Sequence, residues 1–418
     1  MALSSGVREE GLEKALDLMR RCATEAGFLA SPSDHDNYRR VWGRDGVILG
    51  LAALMTGEES LVAATRRTLL TLAQHQGPHG EIPSNVDTIT RRISYGGTTG
   101  RVDADLWFVI GCAEYWVATG DDRFLEEMLP VLEKVRFLLG AWEFNNRGLI
   151  YVPQTGDWAD EYVHSGYVLY DQLLYLQALR SFCRIHSAVH GSADHPLRDQ
   201  TTRLFHLIRG NYWFDGDEPA DVYHEVLYRK GRQAAPRRSD WYWMPFFAPT
   251  GYGYRFDALA NVLANVLDVA DDSQSEQVDH CIAEITPDEI CLLPAFHPVI
   301  EPVDRDWEDL QMMFSYSFKN RPYEFHNGGL WPMITGFYVA DLARRGHRIK
   351  AHRYLDGIHT ANILSGADED RQFPEFINGR TFVPGGNADQ GWSAAAAVIG
   401  HHALEGRPLF RIDEVGRE

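Results

Sequence analysis

The apolar positions of this chain recur at helical spacing almost from its start. Leu12, Ala15, Leu16, Met19 and Cys22 fall three or four residues apart, which puts them on one face of an α-helix. The same periodicity predicts helices over roughly 44–56, 59–76, 103–119, 122–140, 167–188, 195–209, 255–268, 273–284, 329–345, 347–363 and 390–404. Three joints between them share one chemistry: Met55-Thr56-Gly57-Glu58-Glu59, Ala118-Thr119-Gly120-Asp121-Asp122 and Arg344-Arg345-Gly346-His347. In each, glycine can take the left-handed conformation that ends a helix. In the first two, acidic residues then suit the positive N-terminus of the next helix. These are αα-hairpin signatures. Six such hairpins in a ring make an all-α (α/α)6 barrel, the expected fold; a helical solenoid would show a stricter period. No Pro/Ser-rich linker or shift of composition divides the chain, so one domain over residues 1–418 is expected.

Four stretches break the pattern, at about 77–101, 141–166, 210–254 and 286–327. They are long, glycine-rich and aromatic, and loops of that length in a compact fold are usually functional. The unusual motifs lie in or beside them, each just ahead of a predicted helix: Trp42-Gly43-Arg44-Asp45, Asp103, Asp157-Trp158-Ala159-Asp160, His326-Asn327-Gly328-Gly329-Leu330-Trp331 and Phe373-Pro374-Glu375. If the first helix of each hairpin forms the inner ring, all these N-termini open on one face and line one pit. Two stretches, Arg101–Phe108 with Asp103 and Asp105, and Phe373–Gly379 with Glu375, set carboxylates among aromatics. Cleaving a glycosidic bond requires two carboxyl groups, one to protonate the leaving oxygen and one facing the anomeric carbon. Each residue also has a plainer reading: Asp103 as a helix N-cap, Glu375 as a solvated loop residue, Arg44–Asp45 as a structural ion pair, Trp331 and Trp392 as core aromatics.

A formal charge of −19 over 418 residues argues against nucleic acid or an anionic membrane as partner. The five cysteines (Cys22, Cys112, Cys183, Cys281, Cys291) show no zinc-like spacing and read as buried thiols in a reducing compartment. No secretory h-region or membrane-length apolar run is present, so a cytoplasmic protein is expected. Nothing visible requires a metal or cofactor; homo-oligomerisation is left open.

In order along nearly the whole chain, these motifs resemble the alkaline/neutral invertases and, less closely, the amylo-α-1,6-glucosidase part of glycogen-debranching enzymes. The similarity is carried by Val41–Asp45, Ala53–Glu58, Val102–Phe108, Tyr254–Asp257, Arg321-Pro322, His326–Pro332, Phe373–Phe376 and Gln390–Ala394. The resemblance implies an (α/α)6 barrel and hydrolysis with inversion, with Asp103 as general acid and Glu375 as general base; Asp105 competes for the acid. Arg44 and Asp45 are expected to hold sugar hydroxyls, Trp42, Trp331 and Trp392 to shape the walls, and His326 and Asn327 to add hydrogen bonds. Trp107, Trp158, Asp160 and Gln390 complete the expected sugar-binding set. The substrate expected is a small carbohydrate, an α-glucoside such as sucrose or a 1,6-linked or solute glucoside. The 210–254 loop, with Trp213, Trp241, Tyr242 and Trp243, has no invertase counterpart, and loops set the leaving-group side of such sites. The rivals are a sugar epimerase or isomerase on the same barrel and a non-catalytic glycan-binding scaffold.

Overall fold

The computed structural model describes residues 3–191, 196–214, 222–236, 240–314, 316–364 and 372–412. Its helices are α1 (Ser5–Cys22), α2 (Gly43–Thr56), α3 (Glu59–Gln74), α4 (Val102–Thr119), α5 (Asp122–Ala141), α6 (Leu169–His190), α7 (Pro196–Tyr212), α8 (Glu225–Ala234), α9 (Ala258–Val266), α10 (Asp272–Ile285), α11 (Trp307–Met312), α12 (Pro332–Arg344), α13 (Arg348–Ile363) and α14 (Gly391–Leu404). The predicted helices are all present. The short α8 and α11 lie inside stretches that read as loop.

Six helices close into an inner ring: α2 packs on α4, α4 on α6, α6 on α9, α9 on α12, α12 on α14 and α14 on α2. The other six of the twelve, α1, α3, α5, α7, α10 and α13, back them from outside, so the expected (α/α)6 arrangement is present. Their sequences explain the sorting. Residues Gly43–Met55 of α2 and Val102–Trp116 of α4 are buried on every side, as helices without a polar face must be. In α5 the buried positions Phe124, Leu125, Met128, Leu132, Val135, Leu138 and Leu139 form one stripe. Inner helices approach closely where side chains are small: a Cβ on Gly336 of α12 would lie 2.7 Å from Ala396 of α14. Gly57 and Gly120 end α2 and α4 at φ 70° and 66°, and Asp121 caps α5 by accepting from the Phe124 N–H.

Short antiparallel strands root the loops beside the inner-helix N-termini. Val41–Trp42 pairs with Asn85–Val86, and that with Ile93–Ser94; Phe256–Asp257 pairs with Phe296–His297, and Phe376–Ile377 with Pro384–Gly385. Two-residue strands carry no readable alternation, and the sequence pattern does not show them. Among the described residues no helix is long and apolar enough to cross a membrane.

Candidate active site

The N-terminal ends of α2, α4, α12 and α14 and the loops above them surround a cavity of about 390 Å³, within the range of small-molecule sites. Trp42, Arg44, Asp45, Trp158, Asp160, His326, Trp331, Glu375 and Trp392 line it, so motifs spread over most of the chain do meet in one pit. Trp331 is the hub of the aromatic wall, stacked on His326 (centroids 5.5 Å apart) and edge-on to Trp158 and Trp392 (5.5 and 5.6 Å). The indole N–H groups of Trp158 and Trp392 and Nδ1 of His326 are buried and have no hydrogen-bond partner among the described residues. Burial pushes the His326 imidazole down to about 3, so it meets a ligand as a neutral ring.

Glu375 is held on a short hairpin. Its backbone N–H bonds Asn387 O at 2.8 Å, and the Ser393 hydroxyl, in the first turn of α14, bonds Pro374 O at 2.7 Å. Oε1 accepts from the Tyr38 hydroxyl at 2.6 Å and Oε2 from the Asn387 N–H at 3.1 Å. Only glycine fits behind the carboxylate: a Cβ on Gly386 would lie 2.3 Å from Oε2, and its φ of 71° independently excludes most side chains. Burial raises the Glu375 pKa, against the lowering effects of Tyr38, Lys319 and Asn387.

Asp160 is on the loop before α6, with its side chain 23 % exposed, and forms an ion pair with Arg101, the residue preceding α4. The same guanidinium donates to Thr155 O, tying that loop to α4. Burial alone would raise the Asp160 pKa, but Arg101 first, with Arg44 and Lys319, brings it below the usual carboxylate range. Asp45 goes the other way: burial lifts it to about 6 against the pull of Arg44.

Asp103 is not on the cavity wall. It is 1 % exposed, and its Oδ2 accepts from Arg44 Nη1 at 2.8 Å and from the Tyr170 hydroxyl at 3.2 Å. Arg44 reaches the cavity from in front of it, its guanidinium over Trp392 at 5.7 Å. Four other expected contact residues also sit behind the wall. Asp105 accepts from the Ile82 N–H at 2.9 Å and pins the 77–101 loop. Trp107 is fully buried, its indole N–H bonded to Tyr170. Asn327 is consumed by Ile300 and Asn320, and Gln390 bonds Asp45 at 3.4 Å. The 210–254 loop lies partly outside the described residues; Trp213, Tyr242 and Trp243 are core residues, with Trp213 and Trp243 in ring contact at 5.0 Å. Sequence reasoning missed Tyr38, Arg101, Lys319 and Phe325 on the wall. Among the described residues no group of three or more His, Cys, Asp or Glu is arranged to hold a metal.

A closed ring of six inner helices, with carboxyl groups and tryptophans gathered at the helices' N-terminal end, is the architecture of a glycoside hydrolase. The chain belongs to the alkaline and neutral invertases, whose family model matches residues 12–407. It is 24 % identical to a probable alkaline/neutral invertase D of Arabidopsis thaliana, over 88 % of this chain and 76 % of that one. It is also 24 % identical to cytosolic invertase 1 of Oryza sativa subsp. japonica, over 95 % and 77 %. Among solved structures, a GH63 mannosylglycerate hydrolase from Thermus thermophilus superposes with a TM-score of 0.62 at 14 % identity, covering 93 % of this chain and 99 % of that one. A bacterial glucoamylase complexed with acarbose superposes at 0.66 and 14 % identity, over 98 % and 57 %. At that identity the shared feature is the fold.

Proposed function

We propose that the chain hydrolyses a small α-glucoside with inversion, using Asp160 as general acid and Glu375 as general base. The observation that carries this reading is that both carboxyl groups line one aromatic cavity, whereas Asp103 stands behind Arg44. The acid role expected of Asp103 is therefore moved to Asp160, and Asp103 becomes the residue that positions Arg44.

Glu375 suits a base. Its two donors, Tyr38 and Asn387, leave it acceptor-only and fix its aim, while burial makes it a stronger base than a solvated carboxylate. It takes a proton from the water that attacks the anomeric carbon. Asp160 donates its proton to the glycosidic oxygen on the opposite side, which places the leaving group against Asp160 and its partner Arg101. Arg101 holds Asp160 ionised in the free protein; a sugar that strips water from the carboxylate raises its pKa, so Asp160 takes up its proton from solvent as substrate docks. Arg44 and Asp45 hold hydroxyls of the glycon, and Trp158, Trp331 and Trp392 shape its walls.

Sucrose is the first candidate because the family is that of invertases, with 1,6-linked and solute glucosides next. The cytoplasm is the proposed compartment; no disulfide joins any of the five cysteines, and one relative is named as cytosolic. A panel of disaccharides and glucosyl solutes, scored by released sugar and by the anomeric form of the product in NMR, tests the reading. Release of β-glucose from an α-glucoside supports it; release of α-glucose, or no release from any member, overturns it.

A further inference from the structure

Three arginines reach the cavity wall, and each has a carboxylate within ion-pair distance: Arg44 with Asp103 and Asp45, Arg101 with Asp160, and Arg40 with Asp87. Lys319 has none among the described residues. Its ammonium lies 5.1 Å from the centroid of the Phe325 ring, on a half-buried stem at the cavity wall. Phe314 and Tyr316, 47 % and 82 % exposed, come from the same stretch of chain and also line the cavity. In a chain of formal charge −19, a cavity cation with no carboxylate in ion-pair distance among the described residues calls for an explanation from the ligand.

We propose that Lys319 receives an anionic leaving group, so that the preferred substrate is a glycoside whose aglycone carries a carboxylate or a phosphate. This rests on the reading above, in which Asp160 protonates the leaving oxygen. The aglycone then docks beside Asp160 and Arg101, on the wall of a cavity that Lys319 also lines, and Arg101 is already engaged by Asp160. A point charge on a flexible stem suits either anion. The arrangement also answers a difficulty of the acid role. Lys319 is one of the cations that draw the Asp160 pKa down against the upward push of burial. An anion on the leaving group offsets Lys319 as it docks, and Asp160 regains proton affinity when the substrate that requires it arrives.

The test uses pairs that differ only in the anion: glucosylglycerol against glucosylglycerate, and sucrose against its phosphate ester on the fructose. In the wild type, kcat/KM for the charged member of at least one pair should exceed that for the neutral member by about tenfold or more. Which pair responds separates carboxylate from phosphate. Lys319→Met, which keeps the stem on Phe325, should bring the ratio close to one, and Lys319→Arg should retain part of it. Equal rates within both pairs, or a preference that survives Lys319→Met, overturn the proposal. A merely electrostatic influence on Asp160 and Glu375 would change both members of a pair equally and leave the ratio intact, which also overturns it. Turnover of the neutral members reports on the hydrolase reading separately. If no member is turned over, calorimetric binding of D-glycerate against glycerol decides: binding of glycerate that weakens about tenfold in Lys319→Met supports the site, and equal binding sinks it.

Discussion

Arg44 and Asp103, on neighbouring inner helices and 59 positions apart in the chain, share a buried 2.8 Å ion-paired hydrogen bond behind the cavity wall. Asp103→Asn keeps an acceptor but removes the charge, so Arg44 loses its anchor. Removing one partner of a buried pair costs about 3–5 kcal/mol at the extreme. The expected outcome is a lower melting temperature and a raised KM, with kcat falling far less than in Asp160→Asn; thermal unfolding and steady-state kinetics measure both.

Tyr38 sets the charge state of Glu375 as well as its aim. The hydrogen bond from Tyr38 opposes the upward effect of burial on the Glu375 pKa. In Tyr38→Phe that opposition is lost and Glu375 titrates higher still. Less of the base is then ionised at a given acidic pH, so the acidic limb of kcat/KM should move to higher pH. Turnover at the optimum should fall about tenfold, the order of one hydrogen bond to a charged group. An unmoved acidic limb would contradict the role.

Asp105, the competitor for the acid in the sequence, belongs to the fold. Burial raises its pKa well above the ordinary carboxylate value. A group raised in the folded state costs stability progressively as pH climbs from its unfolded value through its folded one. Asp105→Asn keeps the acceptor for the Ile82 N–H and removes that cost. Its melting temperature relative to wild type should therefore rise as pH climbs above about 4, with turnover retained. Loss of turnover in this variant would return Asp105 to the acid role.

Gly386→Ala tests the support behind the base. The added methyl meets Glu375 Oε2 and its own φ is unfavourable. The carboxylate must shift by a fraction of an ångström or more, and such misplacement costs about a hundredfold in kcat. Circular dichroism should show the helices unchanged.

The helices were legible because their signals are local: apolar residues at helical spacing, and Gly57 and Gly120 as terminators. That the motifs meet was also legible, since Trp42 and Trp331 each stand just ahead of an inner helix; Glu375 is farther from α14, on the hairpin that precedes it. Which carboxylate faces the ligand was not. Arg44 and Asp103 both occupy the second position of their helices, and their mutual pairing depends on how α2 and α4 are rotated against each other, a property of packing. Tyr38 sits in a polar stretch without periodicity, and its partner Glu375 is 337 positions away. Arg101 stood two residues from Asp103 and carried a readable signal, a charge at a loop–helix boundary, yet its partner Asp160 comes from another loop.

The central claim, that Asp160 and Glu375 are the acid and base, is tested most directly by their Asn and Gln variants on a glucoside and on α-glucosyl fluoride, whose leaving group requires no proton. Asp160→Asn should lose about 10²–10⁴-fold in kcat on the glucoside and keep most of its rate on the fluoride, while Glu375→Gln loses both. Near-normal hydrolysis of the glucoside by Asp160→Asn, or the fluoride rescue appearing in Asp103→Asn instead, would contradict it.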